Sequence, residues 1–380
     1  MHDDPNFPTG LSIGPSQRAV LGGLHLDEGG DGDDDAAQDV ERFGIAGRTW
    51  EAAYLALSYL RLSASSSSPR SPTSPVLDPP CPVISTNAPP PASSAQGERH
   101  PARKRTILEL GAGTGFLSLA LAPHLCPSSL YRLVVTDLPN VCPLLEENLA
   151  AASRRWIARD PHGPTMPAEV CVRPLPWGDD DALRALQDEG IEPDLVLASD
   201  LIYFEFLYAP LLRTLLGLTE PRGGHADKGR GSPQVVFSYK VRSLVREQPF
   251  WEALGRWFDF EAVQIGTRTP KEKEPPRPDG APPSPTEPGS TTTSTAPPPP
   301  PPAPSPLTWA RLGSAFPSST HPTTTDELFI FVCTRWPSTF GFDARSVSDE
   351  QLLQGRGGAR GEGAGAGRFE EMMLAGLEWD

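Results

Sequence analysis

Cysteine, histidine and long apolar runs are scarce in this sequence, and each scarcity excludes a class of protein. The 380 residues include 5 cysteines and 7 histidines. The cysteines show no C-x-x-C spacing and the histidines form no ligand pattern with them, so we expect no zinc or other metal site. No apolar run approaches the roughly 20 residues that a membrane span needs, so we expect no membrane segment. The odd cysteine count, with no leader peptide in view, favours a reducing, cytoplasmic location.

Basic residues are also outnumbered. The chain has 33 Lys and Arg against 48 Asp and Glu, a formal net charge of −15. A surface built to neutralise the phosphates of nucleic acid needs the opposite balance, so we expect no nucleic-acid partner. An acidic protein suits a basic protein partner better. We expect the chain itself to be a monomer.

Proline and glycine, in contrast, are abundant, with 46 and 35 residues. Proline- and serine-rich stretches at 61–101 and 266–325 predict low-complexity insertions, and the second contains an unbroken run from Pro297 to Pro302. The acidic composition of residues 1–38 predicts a disordered N-terminus, and the glycine-rich composition of residues 339–380 predicts a mostly disordered tail. A single domain is then expected over residues 39–338, interrupted by the two insertions.

From residue 103 onward, apolar strand-like runs alternate with helical patterns, which is typical of a parallel sheet covered by helices on both faces. Two late apolar runs have no helical pattern between them and predict a C-terminal antiparallel hairpin. The fold class is therefore α/β, with a seven-stranded, mostly parallel sheet. The predicted strands are 106–110, 132–136, 170–173, 194–198, 234–239, 260–265 and 328–334.

The segment ILELGAGTGF, residues 107–116, carries the strongest chemical signal. Its apolar strand runs into a glycine loop that lets the backbone approach a nucleotide-like ligand closely. Phe116 stands where a dinucleotide fingerprint needs its third glycine. Glu109 precedes the loop, where a carboxylate repels a pyrophosphate but attracts an amine, so the spacing favours S-adenosylmethionine over NAD. With Glu109, the loop residues assigned to this cofactor are Gly111, Ala112, Gly113 and Gly115.

The other predicted parallel strands end in further candidates, because ligands bind beyond the carboxyl ends of such strands. Asp137 ends the second strand, where a carboxylate can accept hydrogen bonds from both hydroxyls of a ribose; alternatively, it favours the dipole of the following helix. Trp177 follows the third strand and either stacks on an adenine or covers the sheet edge. Trp50 begins an apolar stripe that predicts a helix over 49–60, and this pattern by itself favours a core anchor.

Asp200 and Tyr203 lie three residues apart where the fourth strand leaves the sheet, and they are the catalytic candidates. Methyl transfer from a sulfonium is an in-line displacement, for which an enzyme supplies position and a suitable nucleophile. A lysine amine must first lose its proton, despite a reference pKa of about 10.4. A desolvated aromatic slot lowers that pKa, and a carboxylate can orient the amine. The alternative is that Asp200 caps a helix and Tyr203 packs.

Several segments together resemble the seven-stranded, Rossmann-like protein methyltransferases of family 16, which include lysine methyltransferases acting on chaperones and elongation factors. The segments are GRTWEAA (47–53), LELGAGTG (108–115), VVTDLPNVCPLLEENL (134–149), LPWG (175–178) and LVLASDLIYF (195–204). The resemblance implies that Asp200 and Tyr203 form the D-x-x-Y element of an acceptor site. It also implies an S-adenosylmethionine pocket lined by Gly111 to Gly113, Trp50, Asp137, Trp177 and Ser199.

Residues 237–263 further resemble fungal members thought to methylate elongation factor 1A. The expected activity is therefore protein-lysine N-methylation, with a protein substrate, elongation factor 1A, as partner. The alternatives are methylation of a small amine, of another protein or of nucleic acid. For nucleic acid, the N/D-P-P-Y/F tetrapeptide is missing, and ASDLIY stands in its place. A last alternative is an inactive cofactor-binding module that docks partners through its proline-rich segments.

Overall fold

The computed structural model of the chain describes residues 13–16, 36–65, 74–85, 104–125, 127–159, 167–221, 232–268, 306–315, 328–360 and 367–374. The proline run from Pro297 to Pro302 and most of the predicted N-terminal segment lie outside these residues. Within the described ranges, none of the helices combines the length and apolar character that crossing a membrane requires.

Strands occur throughout the described part of the chain, and most are short apolar runs rich in β-branched residues, as strands typically are. They are β1 (Val76–Asp78), β2 (Arg105–Leu110), β3 (Tyr131–Asp137), β4 (Glu169–Pro174), β5 (Leu195–Ser199), β6 (Gln234–Lys240), β7 (Phe258–Ala262), β8 (Gln264–Arg268), β9 (Leu307–Arg311) and β10 (Leu328–Arg335).

Seven of these strands form one sheet in the order β4-β3-β2-β5-β6-β10-β7. The pairs from β4 through to β6 are parallel, while β10 pairs antiparallel with both β6 and β7. This confirms the predicted α/β class and the C-terminal hairpin, with β10 inserted between its neighbours. Strand order reverses between β2 and β5, so ligands are expected at the carboxyl ends of these two strands.

Helices cover both faces of this sheet. Alternate residues of each strand point to opposite faces, and each face carries an apolar cluster that the helices bury. Ile107 joins the apolar cluster on one face and Leu108 joins the cluster on the other. The helices are α1 (Val40–Phe43), α2 (Glu51–Ser65), α3 (Pro82–Ser85), α4 (Phe116–Leu121), α5 (Cys142–Arg159), α6 (Asp180–Asp188), α7 (Tyr208–Leu218), α8 (Leu244–Leu254), α9 (Asp349–Leu353) and α10 (Arg368–Leu374).

The region predicted as one strand over 260–265 divides into two strands in different sheets. β7 belongs to the large sheet, whereas β8 pairs antiparallel with β1 and β9 in a second, three-stranded sheet. The expected insertions at 61–101 and 266–325 therefore contribute the end of α2, β1, α3 and β9 to the folded domain. The composition of the insertions does not predict these elements. For example, β9 forms by pairing with β8, from which a long sequence separates it.

The tail after residue 338 also differs from the expectation of a mostly disordered segment. Its described part contains α9 and α10, which bury Leu352 and Phe369 in the core beside α8. The Phe369 ring stacks on Trp251, with centroids 5.1 Å apart. Hydrogen bonds from Arg213 to the Val347 carbonyl and to Asp349 also hold the tail, so its described part docks although its overall composition is rich in glycine.

Candidate active site

A cavity of about 260 Å³ opens at the carboxyl ends of β2 and β5. Its walls include all the predicted site residues except Gly115. The loop after β2, the end of β3, the loop after β4 and the end of β5 meet there, as the strand-end rule predicts. The N-terminal residues 45–50 close a further side of the cavity.

The glycine loop is tied to the end of β3 by backbone hydrogen bonds. Ala112 N–H donates to the Thr136 carbonyl at 3.0 Å, and Gly113 N–H donates to Asp137 Oδ2 at 2.7 Å. Gly111 has a φ of 54°, and a Cβ there would lie 2.8 Å from the Trp177 ring. Gly113 has a φ of 55°, and a Cβ there would lie 2.8 Å from the Ala46 carbonyl oxygen. Both positions therefore require glycine, for the positive φ and for the close approach of neighbouring atoms.

Gly115, which we assigned to the cofactor, does not line the cavity. It precedes α4 in a left-handed conformation with a φ of 73°, and a Cβ there would approach the side chain of Leu145. Its amide donates to the Ala112 carbonyl at 2.8 Å. Gly115 thus shapes the turn into α4, and the third glycine of the pattern serves the fold of the loop.

Two buried carboxylates, Glu109 and Asp137, lie on the floor of the cavity. Burial raises the pKa of Glu109 to about 7, against the opposing effect of hydrogen bonds that Ser118 donates from its backbone and hydroxyl. Burial likewise raises the pKa of Asp137 to about 6, against amide donors from Gly113 and Leu138. Since α5 begins only at Cys142, Asp137 does not cap that helix. Each Asp137 oxygen keeps room for a further donor.

Trp50 is a half-buried wall of the cavity and not a core residue, because neither apolar cluster includes it. Its indole Nε1 donates to the Ile45 carbonyl at 3.1 Å. The Arg48 guanidinium lies 4.5 Å from the ring centroid, and the Arg242 guanidinium lies 5.2 Å from it. Cations held against an indole in this way fix the orientation of the ring.

Trp177 and Ser199 face the same cavity from the loop after β4 and from the end of β5. The Trp177 ring is half-buried against Gly111, so part of its surface stays open to a ligand. Ser199 Oγ is buried and has no hydrogen-bond partner among the described residues. A buried hydroxyl without a partner is costly, which favours a polar ligand group at this position.

Asp200 follows Ser199 in a strained backbone conformation, with a φ of 61°. Non-glycine residues in this region are uncommon and concentrate at functional sites. The amide of Asp200 donates to the Ser238 carbonyl at 2.8 Å, and its side chain is 1% exposed. Both carboxylate oxygens accept hydrogen bonds from Arg242, Oδ1 at 2.7 Å from Nη1 and Oδ2 from Nη2. Asp200 precedes no helix directly, so the alternative of a helix cap does not apply.

Two aromatic side chains that follow Asp200 in the sequence, Tyr203 and Phe206, line the cavity. Tyr203 contacts Phe204 edge to face at 4.9 Å between ring centroids, and Phe204 stacks on Phe206 at 5.4 Å. Burial, together with the charges of Asp137 and Asp200, raises the pKa of Tyr203 above its ordinary value, so its phenol stays protonated. Phe206 lines the cavity yet is 65% exposed.

The sequence prediction missed Arg48, Arg242 and Phe206. Arg242 follows β6, whose carboxyl end lies at the same edge of the sheet as the other strand ends. Applying the strand-end rule to this fifth strand would have selected it. Phe206 carries no spacing signal, because a surface aromatic in a short turn is visible only once the fold places that turn at the opening.

Comparison with known proteins gives the family. A family model described as lysine methyltransferase, methyltransferase family 16, matches residues 33–257, which is more than half of the chain. The protein-lysine N-methyltransferase EFM6 of Saccharomyces cerevisiae is 29% identical over 163 residues, which cover 41% of this chain and 57% of the yeast protein. The mouse protein-lysine N-methyltransferase EEF2KMT is 29% identical over 154 residues, which cover 40% of this chain and 42% of the mouse protein. The chain thus spans about half the length of the curated relatives it matches.

A solved structure of an O-methyltransferase from Bacillus cereus in complex with SAH is 18% identical to the chain. The match covers 43% of this chain and 68% of the chain in that structure, with a TM-score of 0.28. The family match confirms the family and the cofactor class that the sequence predicted. The chain belongs to the lysine methyltransferase family, methyltransferase family 16, whose cofactor is S-adenosylmethionine.

Proposed function

We propose that this chain transfers a methyl group from S-adenosylmethionine to the side-chain amine of a lysine in a protein, and that the acceptor is elongation factor 1A. One observation carries the proposal. A single cavity joins the glycine loop and Asp137 on one side to Asp200 and Tyr203 on the other. A methyl donor and an amine acceptor must meet within one such space to react in line.

The cofactor half of the cavity fits the chemistry of the group it would hold. Asp137 has acceptor positions left for the two hydroxyls of a ribose, and Ser199 Oγ is a buried hydroxyl in need of a partner. The open face of Trp177 suits an adenine. Burial raises the pKa of Glu109 to about 7, and a ligand carrying an amine and a sulfonium would favour its ionised form beside the loop. When bound, S-adenosylmethionine supplies an electrophilic methyl group.

The acceptor half fits a neutral amine. The rings of Tyr203 and Phe206 make the opening apolar, which disfavours the ammonium form of an entering lysine. Asp200 lines the cavity, and each of its carboxylate oxygens has a second acceptor position with which an entering amine would be oriented. The protonated phenol of Tyr203 lies beside it and adds a polar contact without adding charge.

The surface around the opening favours a protein acceptor over a small amine. Phe206, Leu244 and Val245 expose 65%, 42% and 85% of their surface on neighbouring elements. Those elements are joined because the Tyr208 hydroxyl donates to the Arg246 carbonyl at 3.0 Å. Phe206 lines the cavity, and exposed apolar side chains on elements next to a cavity favour a protein-binding surface. The choice of elongation factor 1A rests on the resemblance of residues 237–263, and we place the reaction in the cytoplasm, with the enzyme as a monomer.

Methylation of a protein band tests this proposal. The purified chain is incubated with radiolabelled S-adenosylmethionine and either a cell lysate or purified elongation factor 1A. Half of each sample is digested with protease and half with nuclease. The expected result is a protease-sensitive band with the mass of elongation factor 1A that disappears with Asp200→Asn. Asparagine tolerates the left-handed backbone of residue 200, so this variant removes the charge without adding strain. Asp188→Asn, at an exposed position on α6, is the matched control and should label normally.

Each other outcome points to a different function. Label that enters only low-molecular-weight material indicates a small-amine acceptor, and label lost on nuclease treatment indicates nucleic acid. A labelled protein of another mass retains lysine methylation but rejects elongation factor 1A. A chain that labels nothing and shows no calorimetric affinity for S-adenosylhomocysteine would be an inactive interaction module.

A further inference from the structure

The ion pair between Arg242 and Asp200 has no part in the function described so far. Arg242 donates to both oxygens of the Asp200 carboxylate, yet it does not itself line the cavity. Asp200 does line the cavity, and its side chain is 1% exposed, so Arg242 is the cation that compensates a buried carboxylate at the cavity wall. A two-pronged arginine–carboxylate pair fixes the plane of the carboxylate as well as its position.

The same guanidinium also lies against Trp50, 5.2 Å from the ring centroid. Arg242 is thus a single side chain in contact with two walls, the acceptor wall at Asp200 and the cofactor wall at Trp50. Arg48 contacts only the cofactor wall. Its guanidinium lies against Trp50, and its carboxylate partner is Glu51, at 2.7 Å, and not Asp200. The two arginines can therefore be compared directly.

The turn that carries Arg242 is itself held by a buried carboxylate. Glu247 Oε2 accepts hydrogen bonds from Arg242 N–H at 3.2 Å and Ser243 N–H at 3.1 Å. The hydroxyl of Tyr239 donates to the same oxygen. Arg242 also donates to the Lys240 carbonyl at 3.2 Å. Glu247 thus holds the backbone of the turn, and the Lys240 carbonyl and Asp200 hold the guanidinium, although the side chain is 33% exposed.

We propose that Arg242 is a positioning residue for methyl transfer, which holds the Asp200 carboxylate in place for the acceptor amine and couples it to Trp50 on the cofactor side. The inference rests on the proposed function. The strain at Asp200 gives it a physical reason: a residue in a left-handed conformation with a desolvated charge needs a fixed partner to stay in one orientation. Without Arg242, that carboxylate would lie buried and unpaired, free to rotate away from the amine.

Arg242→Gln tests the inference, and Arg242→Lys tests whether charge alone suffices. Initial rates are measured with elongation factor 1A, or with the lysate protein that the wild type labels. For Arg242→Gln we expect kcat/KM for the acceptor to fall about 10- to 100-fold, the range of coupling between contacting charged residues. Arg242→Lys should recover part of that loss, because an ammonium pairs with only one carboxylate oxygen at a time.

Binding of S-adenosylhomocysteine gives a second readout that needs no acceptor. Loss of one exposed cation–π contact corresponds to an affinity about two- to fivefold weaker, and we expect this by calorimetry for both Arg242→Gln and Arg48→Gln. Only Arg242→Gln should also impair the acceptor step. Arg154→Gln removes the same charge from an exposed position on α5, outside the cavity and the proposed protein-binding surface, and is the matched control for charge.

Two outcomes would overturn the inference while the proposed function stands. In one, wild type and Arg242→Gln have acceptor kcat/KM and cofactor affinity within about twofold of each other, a difference below the effects expected here. In the other, Arg242→Gln lowers the melting temperature and the active fraction but leaves the acceptor KM unchanged, and Arg242→Lys recovers no activity. That pattern is expected of a residue that only stabilises the fold. A wild type that labels no protein at all instead rejects the proposed function, and the calorimetric comparison still decides whether Arg242 supports the cofactor wall.

Discussion

At the scale of single residues, the site is defined by carboxylates removed from water. Glu109, Asp137 and Asp200 are all buried at one cavity, and their partners are of two kinds. Glu109 and Asp137 accept hydrogen bonds from neutral donors, and burial raises the pKa of both. Asp200 pairs with an arginine. Glu109 and Asp137 can therefore take up or release protons near neutral pH.

The raised pKa of Glu109 predicts a stability that falls as pH rises. Below its ordinary value of 4.5, the carboxyl is protonated in both folded and unfolded chains. Between there and about 7, the folded chain keeps a proton that the unfolded chain has released, so the free energy of unfolding decreases with pH. Glu109→Gln stays neutral and still accepts from Ser118. The stability difference, variant minus wild type, should therefore grow by about 3 kcal/mol between pH 4 and pH 8.

Urea unfolding at a series of pH values measures this difference. Glu41→Gln, at an exposed position in α1, is the control and should leave the pH dependence of stability as it is in the wild type. A difference between Glu109→Gln and the wild type that stays constant across the range would contradict a raised pKa at Glu109.

At the scale of elements, most of the site could be predicted because strand ends in a parallel sheet share one edge. The ends of β2, β3, β4 and β5 supplied the loop glycines, Asp137, Trp177 and Asp200 without knowledge of the fold. Elements formed by distant pairing could not be predicted this way. β8 pairs with β9, placing Arg268 opposite Leu307, and nothing local to either segment indicates the other. Arg242 is predictable in part. The strand-end rule selects its position after β6, but the pairing of its side chain with Asp200 depends on the folded turn.

The short turn Glu205–Leu207 gives a prediction about acceptor binding. Phe206 lines the opening from this turn and is mostly exposed, so Phe206→Ser should leave the fold and the cofactor affinity unchanged. If the ring contacts the acceptor protein, its KM should rise about tenfold, which corresponds to roughly 1.4 kcal/mol of lost contact. Steady-state kinetics with varied acceptor concentration measures the change.

Ile157→Ser is the matched control for Phe206→Ser. Ile157 is similarly exposed, but it lies in the last turn of α5, which runs back from the end of β3 toward the opposite edge of the sheet. Its substitution should not change the acceptor KM. An equal rise in acceptor KM for both substitutions would show that the effect comes from reduced surface hydrophobicity in general and not from a lost contact at the opening.

At the scale of the whole molecule, the tail and the active site are connected through one aromatic cluster. Phe369 in α10 stacks on Trp251, and its ring centroid lies 6.3 Å from that of Tyr239. Tyr239 in turn donates to Glu247, which holds the turn of Arg242. The described part of the tail therefore packs against side chains that support the turn of Arg242.

Phe369→Ala tests this connection. Removing a buried aromatic ring from a close-packed core costs about 3–5 kcal/mol in the free energy of unfolding. For a domain of this size, that corresponds to a melting temperature lower by about 6–20 °C. Phe340→Ala removes the same ring from the same tail at a position that is 37% exposed, so it should lower the melting temperature by much less. Equal melting temperatures for the two variants in thermal unfolding would mean that α10 does not stay docked in solution, and the tail would then have no means of supporting the acceptor wall.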